Sequence, residues 1–152
     1  MSKPILYTYY RSSCAWRART ALHLKGVEFE SRPVNLVTKE GKFADECAKL
    51  NPSKKVPVLV HNGNAISESL AIIEYIDEVF PGPSLLPKDP VKKAQARAIA
   101  LHIACSMQPI QNRRVLTKLN EEEEGKGPKW ASYWLTAGLG ELEELTKKTA
   151  GQ

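Results

Sequence analysis

Strand signals stop before the Pro/Gly-rich stretch Pro81 to Pro90 and none returns beyond it, so a chain of 152 residues with this pattern folds as two unlike parts. Residues 1–80 alternate strand and helix signals and read as an α/β unit. Residues 81–90 read as a linker, and 91–152 as an all-α part.

In the first part, residues 4–10 are rich in β-formers and run into Arg11-Ser12-Ser13-Cys14, where hydroxyl residues suited to capping precede a helical stripe of Ala15, Ala18, Ala21 and Leu22. Lys25-Gly26 ends that helix, because glycine enters the left-handed closing conformation without a Cβ penalty. Val27 to Val34 alternates apolar and polar residues up to Pro33 and predicts a half-buried strand, parallel to the first. Lys42 to Leu50 predicts a short helix closed by Asn51-Pro52. Val56 to Val60 and Ala65-Ile66, around the turn Asn62-Gly63-Asn64, predict a hairpin. A helix then opens at Ser67-Glu68-Ser69, with Leu70, Ile73, Ile76 and Phe80 as its buried stripe. The order is β-α-β-α-β-β-α.

Two helices are predicted in the second part. Val91 to Leu119 carries a stripe of Val91, Ala94, Ala98, Leu101, Ala104 and Met107 and a kink at Pro109, since proline removes a helix hydrogen bond. Pro128 to Lys148 carries Ala131, Leu135, Leu139 and Leu142. The acidic stretch between them, Glu121 to Glu124, reads as a solvated loop rather than a cation site.

The remaining composition narrows the function. No purely apolar run exceeds four residues, so no segment is suited to spanning a bilayer, and Met1-Ser2-Lys3 leads into a strand rather than a signal peptide. The expectation is a soluble, cytoplasmic protein. Cys14, Cys47 and Cys105 form no C-x-x-C pair and are expected as reduced thiols. His23, His61 and His102 fall on separate elements without metal-ligand spacing. The net charge of +5 is spread along the chain, without the concentrated basic patch that nucleic acid demands. A small anionic ligand fits it better.

Three places carry chemistry. Ser12, Ser13 and Cys14 sit at a helix start, where backbone N–H groups stabilise an anion such as a thiolate; the simpler alternative is a plain cap. Pro57 enters a strand, and a cis Val56–Pro57 bond would leave the Val56 backbone open to an extended peptide; the alternative is a trans edge proline. Ser67-Glu68-Ser69 offers a hydroxyl and N–H for a carboxylate beside a carboxylate for an ammonium, or again a cap.

Together these places resemble the glutathione site of the glutathione transferase superfamily. The run Ser12-Ser13-Cys14-x-Trp16-Arg17-x-Arg19 resembles the signature of the zeta class. The similarity continues through Ala21-Leu22-x-Leu24-Lys25-Gly26, Val34-Asn35-Leu36, Leu50-Asn51-Pro52, Ser69-Leu70-Ala71-Ile72-Ile73-Glu74-Tyr75, Leu85-Leu86-Pro87 and Gln108-Pro109-x-Gln111-Asn112. It covers essentially the whole chain.

The resemblance implies a thioredoxin-like N-terminal domain followed by an all-α glutathione transferase C-terminal domain. It implies glutathione as cofactor and cis–trans isomerisation of maleylacetoacetate to fumarylacetoacetate in phenylalanine and tyrosine breakdown. Transferase activity on small electrophiles such as α-haloacids belongs to the same expectation. Ser12, Cys14 and Arg17 would be catalytic, with Ser12 donating to the glutathione sulfur. Ser13, Ala15 and Trp16 flank them. Val56, before Pro57, would pair with the cysteinyl part, Glu68 and Ser69 would hold the γ-glutamyl end, and Lys42 the glycine end. Gln108 and Asn112 would line the site from the helical part. Arg11, Arg17, Arg113 and Arg114 are candidates for the carboxylates of a small dicarboxylate substrate, because guanidinium pairs with carboxylate bidentately. For Arg113 and Arg114 the alternative is two solvated side chains.

One departure matters. Zeta-class chains continue through a Gly-Asp-x-x-Thr-x-Ala-Asp segment and further helices, whereas this sequence stops at Gln152. An incomplete helical domain with uncovered apolar faces is therefore expected, with a homodimer if the fold suffices. Two competing readings are a catalytically impaired glutathione-binding isoform that joins full-length subunits, and a monothiol oxidoreductase working through Cys14.

Overall fold

Asn62 and Gly63 both take positive φ, 50° and 76°, the pairing required by the two-residue turn that matches the twist of a hairpin. The computed structural model, which describes residues 2–38 and 42–149, joins β3 (Val58–His61) to β4 (Asn64–Ser67) across that turn. The other strands are β1 (Ile5–Thr8) and β2 (Glu30–Pro33). The sheet order is β2-β1-β3-β4, with β1 parallel to β2 and antiparallel to β3, and β3 antiparallel to β4. The helices of this part are α1 (Ser13–Leu24), α2 (Ala44–Leu50) and α3 (Ser69–Val79).

Side-chain alternation divides the sheet between two cores. Leu6 and Leu59 face α1 and α3 and pack with Ala18, Leu22, Ile72, Ile76 and Phe80. Tyr7 and Val58 face the other way, with Ala15, Val34, Cys47 and Val56. The α1 stripe is buried as its spacing predicts. The stripe of α3 is rotated from the predicted one: Ser69, Ile72 and Ile76 are buried and Leu70 is half-buried. Four consecutive apolar residues, Leu70 to Ile73, allow two helical phases, and docking on the sheet selects one.

The second strand is shorter than its alternation suggests. Val27 donates its N–H to Leu22 O at 2.9 Å and Gly26 donates to His23 O at 3.0 Å, the paired bonds that close a helix with a left-handed glycine. Val27 is thereby tied to the end of α1. Val27 and Phe29 contribute side chains to the core without joining the ladder, which begins at Glu30.

The chain divides into two compact units, Met1–Leu85 and Leu86–Gln152. Residues 81–85 pack on the first unit: Lys25 Nζ donates to Pro83 O at 3.1 Å, Leu85 N–H donates to Asp77 Oδ1 at 2.9 Å, and Leu85 packs against the first core.

The second unit corrects the predicted pair of helices. Instead of one kinked helix there are α4 (Pro90–Leu101), a π turn over His102–Met107, a 3-10 turn over Pro109–Gln111 and a separate α5 (Arg113–Glu122). Gln108 N–H reaches back to Ile103 O, Pro109 has no N–H to continue the ladder, and Asn112 caps α5 by accepting from Arg114 N–H at 3.4 Å. The last helix, α6, spans Lys126–Lys147. Its close approach is made by Gly138 rather than the expected Leu139, which is 56% exposed: a Cβ on Gly138 would lie 2.6 Å from Met107 Cγ. On α4 and the π turn Met107 is buried as predicted, but Val91 and Leu101 are exposed. Among the described residues no helix is long and apolar enough to cross a membrane.

Candidate active site

Sheet register gathers the sequence-predicted residues of the first unit. Tyr7 pairs with Val58, and Val58 with Ser67, so these three residues form one row across β1, β3 and β4. From that end of the sheet the chain leaves β1 toward Ser12, enters β3 from Val56-Pro57, and leaves β4 into Glu68-Ser69. Pro33, at the end of β2, pairs with Thr8 beside the same row. The carboxyl ends of the two parallel strands thus open where a ligand crevice forms in α/β sheets.

Ser12 is the N-cap of α1: its Oγ accepts from Ala15 N–H at 3.1 Å, and its own N–H donates to Tyr9 O at 3.0 Å. The capping alternative is therefore realised, and it leaves the Ser12 O–H as a donor at the helix's positive end. Arg19 fixes the approach, donating from Nη1 to Thr8 Oγ1 at 2.5 Å and to Tyr9 O at 3.3 Å. Arg17 Nη2 donates to Cys14 Sγ at 3.0 Å, placing a cation on the thiol. Arg17 Nη1 is buried without a hydrogen-bond partner among the described residues.

Ser13 is exposed and begins the helix, whereas Ala15 is fully buried and belongs to the second core, so only its backbone faces the cap. Trp16 is 66% exposed and lines, with Arg17, Ala21, Leu24, Ile73 and Leu85, an apolar groove of about 480 Å³ along α1.

The Val56–Pro57 bond is cis. Asn51, the C-cap of α2, organises the approach to it: Nδ2 donates to Lys55 O at 3.0 Å, and Oδ1 accepts from Ser53 N–H and Ser53 Oγ–H. At the start of α3, Glu68 takes φ 67° and ψ 119° and makes no side-chain cap, so it is not the plain cap weighed as the alternative. Unlike Asn62, whose positive φ belongs to a hairpin turn, Glu68 combines positive φ with an extended ψ, a costly conformation of the kind that concentrates at ligand sites. Ser69 beside it is buried. Lys42, two residues before α2, is exposed, with its Nζ 5.6 Å from the Phe43 ring centroid. Gln108, Asn112, Arg113 and Arg114 belong to the second unit, at the junction between the π turn and α5; the Asn112 side chain caps α5 and both arginines are exposed.

From sequence Arg19 has no role and Asn51 only closes a helix, and nothing in the sequence points to Tyr7, Arg32 or Glu46. The charges of Arg32 and Glu46 were visible in the sequence, but nothing local pairs residues 14 positions apart on a strand and a helix. Cys14, Cys47 and Cys105 are free thiols, and burial pushes the Cys47 thiol up.

The family model "Glutathione S-transferase, N-terminal domain" matches residues 11–79. Over 150 residues the chain is 48% identical to the "Probable maleylacetoacetate isomerase" of Caenorhabditis elegans, covering 99% of this chain and 69% of that protein. The chain belongs to the glutathione S-transferase family, in its maleylacetoacetate isomerase branch. A solved maleylacetoacetate isomerase from Anaeromyxobacter dehalogenans with bound GSH in its active site matches with TM-score 0.86 and 40% identity, over 98% of this chain and 70% of that one. A second structure of that enzyme, at TM-score 0.84 and 36% identity over 98% and 70%, holds dicarboxyethyl glutathione and citrate in the active site. Within this family the first unit is the thioredoxin-like domain and the second the helical region.

Proposed function

We propose that this chain is a glutathione-dependent isomerase that converts maleylacetoacetate to fumarylacetoacetate. The observation that carries the reading is the row Tyr7, Val58 and Ser67, which brings Ser12, Val56 and Glu68-Ser69 to one sheet end. The residues present suit glutathione: an extended peptide with a thiol, an ammonium and two carboxylates meets a free hydroxyl donor, a backbone edge, a carboxylate and a helix start.

Val56 pairs with the cysteinyl backbone, Glu68 takes the γ-glutamyl ammonium, Ser69 its carboxylate, and Lys42 the glycine carboxylate. Ser12 donates to the sulfur and, with the N-terminus of α1, favours its ionised form. Bound there, glutathione supplies a thiolate that adds reversibly to the cis double bond, permits rotation, and leaves unchanged. Cys14 and Arg17 flank that sulfur. Arg11 and Arg17 are the first unit's candidate partners of the substrate carboxylates. Halide displacement from small α-haloacids uses the same thiolate.

The setting proposed with it is the cytoplasm, where thiols are kept reduced. The active species is proposed as a homodimer, checked by sedimentation. Isomerisation of maleylacetone with and without glutathione tests the function. Turnover that requires glutathione is expected. Retention on immobilised glutathione with no turnover would instead establish the impaired binding isoform.

A further inference from the structure

We propose that Tyr7, Arg32 and Glu46 form a clamp that docks α2 against the sheet and thereby sets the affinity for glutathione. The inference rests on the glutathione site proposed above. Among the described residues helix α2 is lightly held: seven residues are too few to be stable alone, Cys47 is its one fully buried side chain with Ala44 packed beside it, and its N-cap residue Phe43 makes no side-chain cap.

The clamp joins three elements. Glu46 Oε2 on α2 accepts from Tyr7 Oη on β1 at 2.9 Å and from Arg32 Nη1 on β2 at 3.0 Å. Arg32 Nη1 also donates to Tyr7 Oη at 2.9 Å, its Nε donates to Glu30 Oε1 at 2.7 Å, and its guanidinium lies 5.5 Å and 5.4 Å from the Tyr7 and Phe43 ring centroids. Tyr7 is only 3% exposed, and its phenol is pushed up by burial and by the bond to Glu46, so it remains a donor. Charge-assisted bonds of this kind are about twice as strong as neutral ones.

Docking is transmitted in both directions along the chain. Lys42 lies two residues before α2, and Asn51, at its other end, holds Lys55 O and so places Val56. A chain in which α2 is undocked therefore misplaces two proposed glutathione contacts at once. The apparent dissociation constant rises as the inverse of the docked fraction, so docking reduced to about a tenth to a third of the time weakens binding roughly 3- to 10-fold.

Calorimetric titration with glutathione, on the full chain and its Arg32→Met, Glu46→Ala and Glu46→Gln variants, tests this. The clamp predicts weaker binding in the first two by about that factor, and a smaller loss in Glu46→Gln, which still accepts from Tyr7. Hydrogen exchange should accelerate over residues 44–55 and not over 13–24, and KM for glutathione should rise with kcat at saturation unchanged. Glu46→Gln, at a side chain 41% exposed, remains foldable if the others fail. Unchanged dissociation constants, or a fall in kcat at constant affinity, overturn the clamp alone. A wild-type chain that binds no glutathione overturns the clamp and the proposed function together.

Discussion

Replacing Asp77 by asparagine should destabilise the first unit and erase part of its acid sensitivity. Lys25 Nζ lies 2.8 Å from Asp77 Oδ1, with side chains 3% and 15% exposed, and donates also to Asp77 O at 3.2 Å and Pro83 O at 3.1 Å. Three acceptors thus satisfy an ammonium withdrawn from water. An asparagine would keep the shape and an acceptor but leave the cation without its counter-charge. Breaking a buried pair from one side costs about 3–5 kcal/mol, and the two surviving carbonyls place this case near 3 kcal/mol, roughly the lower end of that range. With a urea slope of about 2 kcal/mol/M, the midpoint falls by about 1.5 M.

Burial pushes the Asp77 carboxyl up, but the hydrogen bonds from Lys25 and Leu85 and the Lys25 charge outweigh it, and the net shift is downward. A carboxylate depressed in the folded state stabilises fully above its unfolded value of about 3.9, and that stability is lost as pH falls through the folded value. The gap between wild type and Asp77→Asn should therefore be full at about pH 7 and narrow as pH falls below the unfolded value of about 3.9. Urea unfolding followed by circular dichroism across that range measures it, with hydrogen exchange over 13–24 and 69–79 reporting the first unit. The double variant Lys25→Met with Asp77→Asn should recover most of the loss, since no charge is then stranded and the asparagine oxygen still accepts from Leu85 N–H. A gap below about 1 kcal/mol at neutral pH, or one that does not narrow as the carboxylates protonate, would refute the reasoning.

Ser12→Ala removes both the α1 cap and the proposed donor to sulfur; about 1 kcal/mol of stability and on the order of 100-fold in glutathione-dependent turnover should be lost, read by melting and by maleylacetone isomerisation. In Gly127→Ala the new Cβ would lie 2.6 Å from Leu116 O, a backbone atom that cannot yield cheaply, so the second unit should lose about 1–3 kcal/mol by urea titration. Cys47, 3% exposed and with its thiol pushed up by burial, should resist a thiol reagent in the native protein while exposed Cys105 reacts; equal rates at the two would contradict the packing.

The candidate site was legible where chemistry is local. A serine before an alanine-rich stripe announces a capped helix, and Ser12 caps α1; Asn62-Gly63 announces a two-residue hairpin turn, and β3 and β4 meet across it. It was illegible where a partner lies far along the chain. Nothing near Arg32 points to Glu46 and Tyr7, and nothing near Lys25 points to Asp77, because such pairs exist only after the strands have been laid side by side. Helix phase failed for a related reason: Leu70 to Ile73 and the α6 sequence each offer more than one apolar face, and the choice belongs to the surface they meet.

By itself the sequence determined the order of strands and helices in the first unit, the change to helix after Pro90, and the residue types for a thiol ligand, since caps, turns and glycine closures are settled within a few neighbouring positions. Tertiary structure decided the rest. It broke the long predicted helix at Leu101 to Arg113, because a π turn and a proline there give up ladder bonds that packing of Met107 on Gly138 compensates. It also brought three separate motifs together, because only strand register can place Ser12, Val56 and Glu68 at the same end of a sheet.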